Sequence, residues 1–278
     1  MKTGLMKKRF TRFVQYLLLT IGALGVVFPI LYAIGLSLMS AGEASSYPPH
    51  MIPHHLQFTA FPAAMETAPL GRFMLNSFVV SLIVTVAQLI TASLAAYAFA
   101  FLEFPLKKIL FLLFLSTMMI PGESTIIPNY LTMRSLGWID TFRGLTVPFM
   151  ATAFGTFLLR QYFLTLPKEL FDAARIDGCG RFRFLWSIVL PMARPALGTL
   201  GVYAFITTWN QYLWPLLMTN STSMRTVQIG IGMLQFQDAT TWNVVMAGVV
   251  IILLPSLLTI VLGQKQLVKG LTTGAVKG

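Results

Sequence analysis

The sequence predicts an all-α membrane protein of six transmembrane helices, and three observations carry that prediction. Charged residues make up only 10% of the 278 positions while 56% are hydrophobic. A soluble domain carries roughly 25% charged residues, so this chain lacks the polar surface to face water. Several uncharged apolar runs reach the about 20 residues that a helix needs to cross a bilayer. None shows the alternating segments of about ten residues that a transmembrane barrel requires.

Taken in order, residues 1–15 are a basic N-terminal segment with Lys2, Lys7, Lys8, Arg9 and Arg12, and residues 16–39 are the first span. That run is longer than the roughly 7–15 apolar residues of a signal-peptide core, so it reads as uncleaved. Pro29 within it is a kink that membrane helices tolerate. Residues 40–72 form the longest loop, outside the cell, with Pro48, Pro49, Pro53, Pro62 and Pro69. All three histidines (His50, His54, His55) fall there. The proline density opposes a helix that would present them on one face, so no metal site is assigned.

Residues 73–278 form a core of five spans. In the second span, Met74–Leu102, the residues Ser77, Ser81, Thr85, Gln88 and Ala92 recur at steps of three and four. Such a small and polar stripe lets helix backbones approach closely. Lys107 and Lys108 precede the third span, Ile109–Met133, which Pro121-Gly122 and Pro128 interrupt. Glu123 stands beside the break, about 21 Å into the span at 1.5 Å per residue. An ionisable residue at membrane depth is either functional or a partner for freed backbone amides, and both readings stand. The fourth span runs from Gly144 to about Leu164, with Arg160 near its inner end, where a long side chain can snorkel to the interface. Then come a polar loop at 165–191, the fifth span Pro195–Thr219, the sixth Asn243–Gln264 and a basic tail at 265–278.

Orientation follows from charge. With both termini in the cytoplasm, inner segments hold sixteen Lys/Arg, and outer ones hold four, Arg72, Arg134, Arg143 and Arg225. This is a positive-inside bias. It accounts for the net charge of +11, so no nucleic acid partner is needed; the basic surface faces membrane lipid. Cys179 is the only cysteine, which excludes an intrachain disulfide and a cysteine metal cage. It reads as an incidental thiol in a reducing compartment.

The loop at 165–191 is the most informative stretch. Pro167 suits the first turn of a helix and Gly178 its end. Glu169 and Asp172 lie towards the positive end of that helix and Arg175 towards the negative end. A helix so short is marginal alone in water and needs a surface to pack on. Ala173 and Ala174 leave a slim face for a partner's cleft, and Ile188-Val189-Leu190-Pro191 then re-enters the membrane.

Asp172-Ala173-Ala174, three residues, Gly178, nine residues and Ile188-x-Leu190-Pro191 together resemble the EAA loop of ATP-binding-cassette importer permeases, with Asp for the leading Glu. Phe157-Leu158-Leu159-Arg160-Gln161 and Trp209-Asn210-Gln211-Tyr212-Leu213-Trp214-Pro215 resemble the fourth and fifth spans of the maltose-type sugar permeases. The end, Lys269 to Gly278, resembles the tail of that family's second permease subunit. The resemblance implies that Glu169, Asp172, Ala173, Ala174, Arg175, Gly178, Leu190 and Pro191 belong to a coupling helix and its continuation, docking on a cytoplasmic ATPase subunit. It implies that Lys269, Gly270, Gly274, Lys277 and Gly278 reach the interface between two ATPase subunits. A second homologous permease subunit and an extracytoplasmic solute-binding protein are the other implied partners, in a bacterial-type cytoplasmic (inner) membrane. ATP and Mg2+ would sit on the ATPase subunits, with no cofactor bound by this chain. The chain has no Gly-x-x-x-x-Gly-Lys-Ser/Thr phosphate loop of its own, so a transport subunit rather than an enzyme is expected.

For the solute, Thr207, Asn210, Gln211 and Trp214 make a polar and aromatic stripe on the fifth span, with Asn129 on the third as a further candidate. Amides and an indole suit the hydroxyls and flat apolar faces of sugars. Interhelical hydrogen bonding and an aromatic belt are the alternative. The second, third and fifth spans resemble permeases for oligosaccharides or glycerol-3-phosphate. No Lys or Arg lies at mid-membrane, which favours a carbohydrate over the phosphoester. An ion-coupled carrier needs buried carboxylate relays, for which Glu123 is the one candidate; an intramembrane enzyme needs clustered catalytic groups that the spans lack.

Overall fold

A computed structural model describes residues 2–235 and 241–272, with side chains over 10–265 apart from 168 and 235–240. The described residues include no strand. In chain order the helices are α1 (Lys2–Ser37), α2 (Ala41–Ala44), α3 (Ala60–Thr67), α4 (Leu70–Phe101) and α5 (Lys107–Ser116). Next come α6 (Gly122–Ser135), α7 (Phe142–Thr146), α8 (Ala153–Phe163), α9 (Lys168–Ile176) and α10 (Arg181–Phe184). The last are α11 (Leu190–Met192), α12 (Arg194–Trp209), α13 (Leu213–Met218), α14 (Val227–Gln235) and α15 (Trp242–Thr272).

Three stretches cross a bilayer by length and composition, Phe10–Ser37, Leu70–Phe101 and Trp242–Lys265, and three bent pairs bring the number to six if each is one span. They follow the order of the apolar runs. Pro29 and Pro255 sit inside α1 and α15 without ending them.

The bent pairs show how sharply the interruption at Pro121-Gly122 turns the third span, and the fifth span corrects the expectation of one continuous helix. Lys107–Met119 and Gly122–Ser135 meet at 97°. A proline disfavours the helical region for the residue before it, and Ile120 is extended at ψ 117° with Pro121 at ψ 131°. So α6 does not prolong α5. Glu123, expected past the midplane of a through-going span, is instead exposed in the first turn of α6, where the positive helix end favours a carboxylate. In the fourth span Phe142–Phe149 and Ala153–Phe163 bend by 44°. The fifth is no single helix over Pro195–Thr219: α12 stops at Trp209 and α13 resumes at Leu213. Pro215 has no N–H for the carbonyl four residues back and its ring would clash there. A restart at Leu213 puts that missing donor in a first turn, where it has no intrahelical partner anyway. The loop at 40–72 is also more helical than its prolines suggested, since Pro62 falls in the first turn of α3, a position proline tolerates.

The chain packs as two units, residues 1–70 with 231–254, and residues 71–230 with 255–278. In the first, Asn243 Nδ2 donates to Met39 O at 3.0 Å. Gly248 makes room for Leu234, whose Cδ1 would overlap a Cβ placed there. Glu43 Oε1 accepts the His54 backbone N–H at 2.8 Å and lies 2.7 Å from its Nδ1. That backbone N–H, and then the imidazole, hold the Glu43 carboxyl below the ordinary carboxylate range. His50 stands edge-on to His54 at 4.8 Å, and among the described residues no three His, Cys, Asp or Glu are grouped to hold a metal.

In the second unit α4 is the spine. Its small and polar stripe, Ser77, Ser81, Thr85, Gln88 and Ala92, is buried throughout, as close helix packing requires. It also serves the broken helices. Gln88 Nε2 donates to Phe149 O and Thr91 Oγ1 to Met150 O, both at 2.8 Å. These carbonyls are freed where the chain bends into α8, and a bilayer offers them no water. Further along, Asn76 Nδ2 donates to Ser223 O and Arg225 O, both at 2.9 Å, and Ser77 Oγ accepts the Val227 N–H at 2.9 Å where α14 begins. Two loops are pinned by Asp140, whose Oδ1 accepts from Asn220 N–H at 2.8 Å, Ser221 N–H at 2.9 Å and the Ser221 hydroxyl at 3.0 Å. Burial pushes the Asp140 carboxyl up, but these donors, led by the two backbone N–H groups, outweigh it and hold the group below its ordinary range.

Candidate functional site

The loop at 165–191 folds as a helix, a tight turn and a second helical segment. α9 is shorter than the expected Pro167–Gly178 stretch because Pro167 is its N-cap, extended at ψ 132°. Its end is set by two hydrogen bonds, Gly178 N–H to Arg175 O at 3.1 Å and Cys179 N–H to Ala174 O at 2.8 Å. This paired closure requires a left-handed residue after the cap, and Gly178 takes it at φ +70°. Any side chain there meets a steric cost that glycine avoids.

Ala174 is 6% exposed and packs with Phe163, Phe184, Leu185 and Val189. The Phe171 ring stacks on Phe101 at 5.7 Å and meets Phe184 edge-on at 5.3 Å. α9 is therefore fastened by aromatic contacts to the last residue of α4. This corrects the expectation of a slim face offered by both alanines: Ala174 points into the chain's own core, while Ala173 is exposed beside Glu169, Asp172 and Arg175. Ile176, 86% exposed, adds an apolar point to that outer face. Charges of both signs surround it on that exposed face.

Beyond the turn, α10, one π-helical turn over Leu185–Val189 and α11 run on to a corner at Ala193. There the stretch Arg181–Met192 meets Arg194–Trp209 at 81°. Ile188–Pro191, the stretch expected to re-enter the membrane, thus lies just before this corner. Leu190, half-buried, and Pro191, exposed, belong to the segment before the corner.

The structure divides the proposed solute stripe. Trp214 is buried, its Nε1 donating to Gly144 O at 3.1 Å and its ring edge-on to Phe149 at 5.7 Å, so it belongs to the packing of α13. Gln211 is half-buried, and its Oε1 is without a hydrogen-bond partner among the described residues. Thr207 is exposed, with its hydroxyl donating to Tyr203 O at 2.8 Å. Asn210 is the exposed residue at which α12 ends, and its Oδ1 accepts from Gln228 Nε2 at 3.2 Å. Gln228 lies on α14, and nothing in linear spacing connects it to Asn210. Tyr203, one turn before Thr207, is 42% exposed and lies 4.5 Å from Phe154. Tyr203, Thr207 and Asn210, at steps of four and three, share one open face with Gln228 at its end. Asn129 is exposed on α6. Lys269 and Gly270 fall in the last turns of α15 with side chains outside the described residues, and Gly274, Lys277 and Gly278 lie outside them altogether.

Known proteins share both the sequence and the fold. The chain is 40% identical over 274 residues to the sn-glycerol-3-phosphate transport system permease protein UgpE of Rhizobium meliloti strain 1021, covering 95% of this chain and 97% of that relative. It is 41% identical over 269 residues to UgpE of Agrobacterium fabrum strain C58, covering 94% and 95%. A solved bacterial ABC transporter involved in the import of the acidic polysaccharide alginate superposes with a TM-score of 0.81 at 25% identity, covering 92% of this chain and 96% of that one. Residues 88–272 match the family model for the inner membrane component of binding-protein-dependent transport systems. That stretch takes in the end of the α4 stripe, the polar loop and the broken fifth helix, and with permease relatives aligned over nearly the whole length the chain belongs to this family of multi-pass inner membrane transport components.

Proposed function

We propose that this chain is a permease subunit of an ATP-driven importer, forming half of a translocation pathway for a carbohydrate, an oligosaccharide or a related sugar. The observation that carries the reading is the loop at 165–191: a short capped helix with a charged outer face, fastened inward at Ala174 and Phe171. Its outer residues Glu169, Asp172, Ala173 and Arg175, with Ile176, dock in a groove of a cytoplasmic ATPase subunit. Gly178 keeps the helix end closed, and Leu190 and Pro191 lie on the segment that passes motion to the corner at Ala193. A push on α9 then reaches α12 and its open face. ATP and Mg2+ act on two partner ATPase subunits, which the tail with Lys269, Gly270, Gly274, Lys277 and Gly278 also contacts. A second permease subunit completes the pathway, and an extracytoplasmic solute-binding protein delivers the solute. This chain contributes no catalytic site. The domain scheme of an N-terminal span, an outer loop at 40–72 and a core at 73–278 with both termini in the cytoplasm fits this role.

Tyr203, Thr207, Asn210 and Gln228 are the solute contacts we favour, with Gln211, Trp214 and Asn129 as the further candidates. A ring for a sugar face and three groups for hydroxyls support a neutral solute. A second reading, import of sn-glycerol-3-phosphate, is favoured by the relatives at 40 and 41% identity. Uptake by the assembled transporter with its binding protein, compared across oligosaccharides and sn-glycerol-3-phosphate, separates the two. ATP-dependent uptake of a sugar is expected, with Asn210→Ala or Gln228→Ala raising the half-saturating concentration about tenfold, the worth of roughly one hydrogen bond. Uptake driven by an ion gradient without ATP would overturn the proposal.

A further inference from the structure

We propose that the cleft between the end of α4 and the start of α5 is a binding site for the headgroup of an anionic phospholipid. The cleft encloses about 780 Å³, and Glu103, Lys107, Lys108, Phe111, Leu112 and Arg160 are among its lining residues. Two of its three cations are held in place. Lys107 Nζ donates to Leu102 O at 2.7 Å and lies 3.5 Å from Glu103 Oε1. Arg160 Nε donates to Phe99 O at 3.1 Å, and its guanidinium carbon lies 4.1 Å over the Phe111 ring. Both side chains thus present fixed positive charge without first losing conformational freedom on binding. Lys108 is exposed beside them. The first turn of α5 has no acidic residue and no side-chain cap, so its positive end adds to the same field. The one carboxylate is Glu103, whose side chain is 92% exposed.

The other wall is apolar. Ile109 and Leu112 are 55% and 65% exposed, and they continue into Leu110 and Leu113 on the outward face of a helix in a membrane protein. Phe101 ends a 32-residue span, which sets the cleft at a membrane surface. Fixed cations at that level above an open apolar wall match a phosphate with acyl chains attached. A soluble phosphate has no use for the wall, and a protein loop has no reason to stop at the lipid boundary.

The test uses the full-length chain purified with its transporter partners in detergent, with bound lipid read by native mass spectrometry. Phosphatidylglycerol is expected to bind and phosphatidylcholine not. Lys108→Gln should weaken phosphatidylglycerol about fivefold, the worth of one surface cation near an anionic lipid. Glu103→Gln should strengthen it, a gain that misfolding cannot imitate, and Lys108→Arg should leave it unchanged. Equal binding of phosphatidylglycerol by Lys108→Gln and the parent would overturn the proposal. So would displacement of the lipid by millimolar inorganic phosphate or glycerol-3-phosphate, which would make the site one for soluble phosphoesters.

Discussion

Gly178 shows how one residue sets the end of a helix. Its left-handed backbone lets the amides of Gly178 and Cys179 close the end of α9. Gly178→Val should cost about 1–2 kcal/mol for forcing a side chain into that region, while Gly178→Asn should cost less. Hydrogen exchange across residues 168–176 is expected to quicken in the valine variant, with ATP-driven uptake reduced several-fold and largely restored by asparagine. Asp140 gives a pH dependence. Its carboxyl titrates below its ordinary value in the folded chain, so the unfolded chain binds that proton more readily. The stabilisation is complete above the ordinary carboxylate range and disappears as pH falls through the lowered folded value. Melting temperature against pH should therefore drop on the acid side in the parent and less steeply in Asp140→Asn. Gly178 was legible in the sequence because the steric demand of a helix end is local. Gln228 was not, because its pairing with Asn210 exists only once α12 breaks and α14 returns to it.

At the scale of elements, the α4 stripe was legible as a packing face, but not as a set of hydrogen-bond partners. Gln88 and Thr91 answer carbonyls that exist as free acceptors only because the fourth span bends. Gln88→Leu should remove one partner and cost about 1 kcal/mol, in line with measured interhelical hydrogen bonds in membranes. Thermal denaturation in mild detergent should show this loss, and Ala87→Leu, on the same helix but without such a bond, should not reproduce it through the same carbonyl. The corner at Pro121 was readable, since proline acts on its neighbour. Its 97° angle was not, because two helices joined by an extended residue take the direction that their packing favours. The end of α12 at Trp209 has its local cause six residues later, in Pro215. An apolar run hides such a break, because hydrophobicity reports burial in lipid and is indifferent to whether the helix is continuous.

For the whole molecule, an apolar, charge-poor composition required a polytopic helical protein, since only helices satisfy their own backbone within a bilayer at these run lengths. The asymmetry of Lys and Arg supplied an orientation, and motif spacing pointed to the permease family to which the chain belongs. Those properties are sums over residues or local steric rules, so they are written in the chain itself. Tertiary structure alone decided that Ala174 faces inward while Ala173 stays exposed, that Trp214 is packing and Asn210 is open, and that Lys107, Lys108 and Arg160 share one cleft. Each depends on residues far apart in sequence being brought within a few ångströms, and the directions of bent helices that bring them together are set by packing that no linear pattern records.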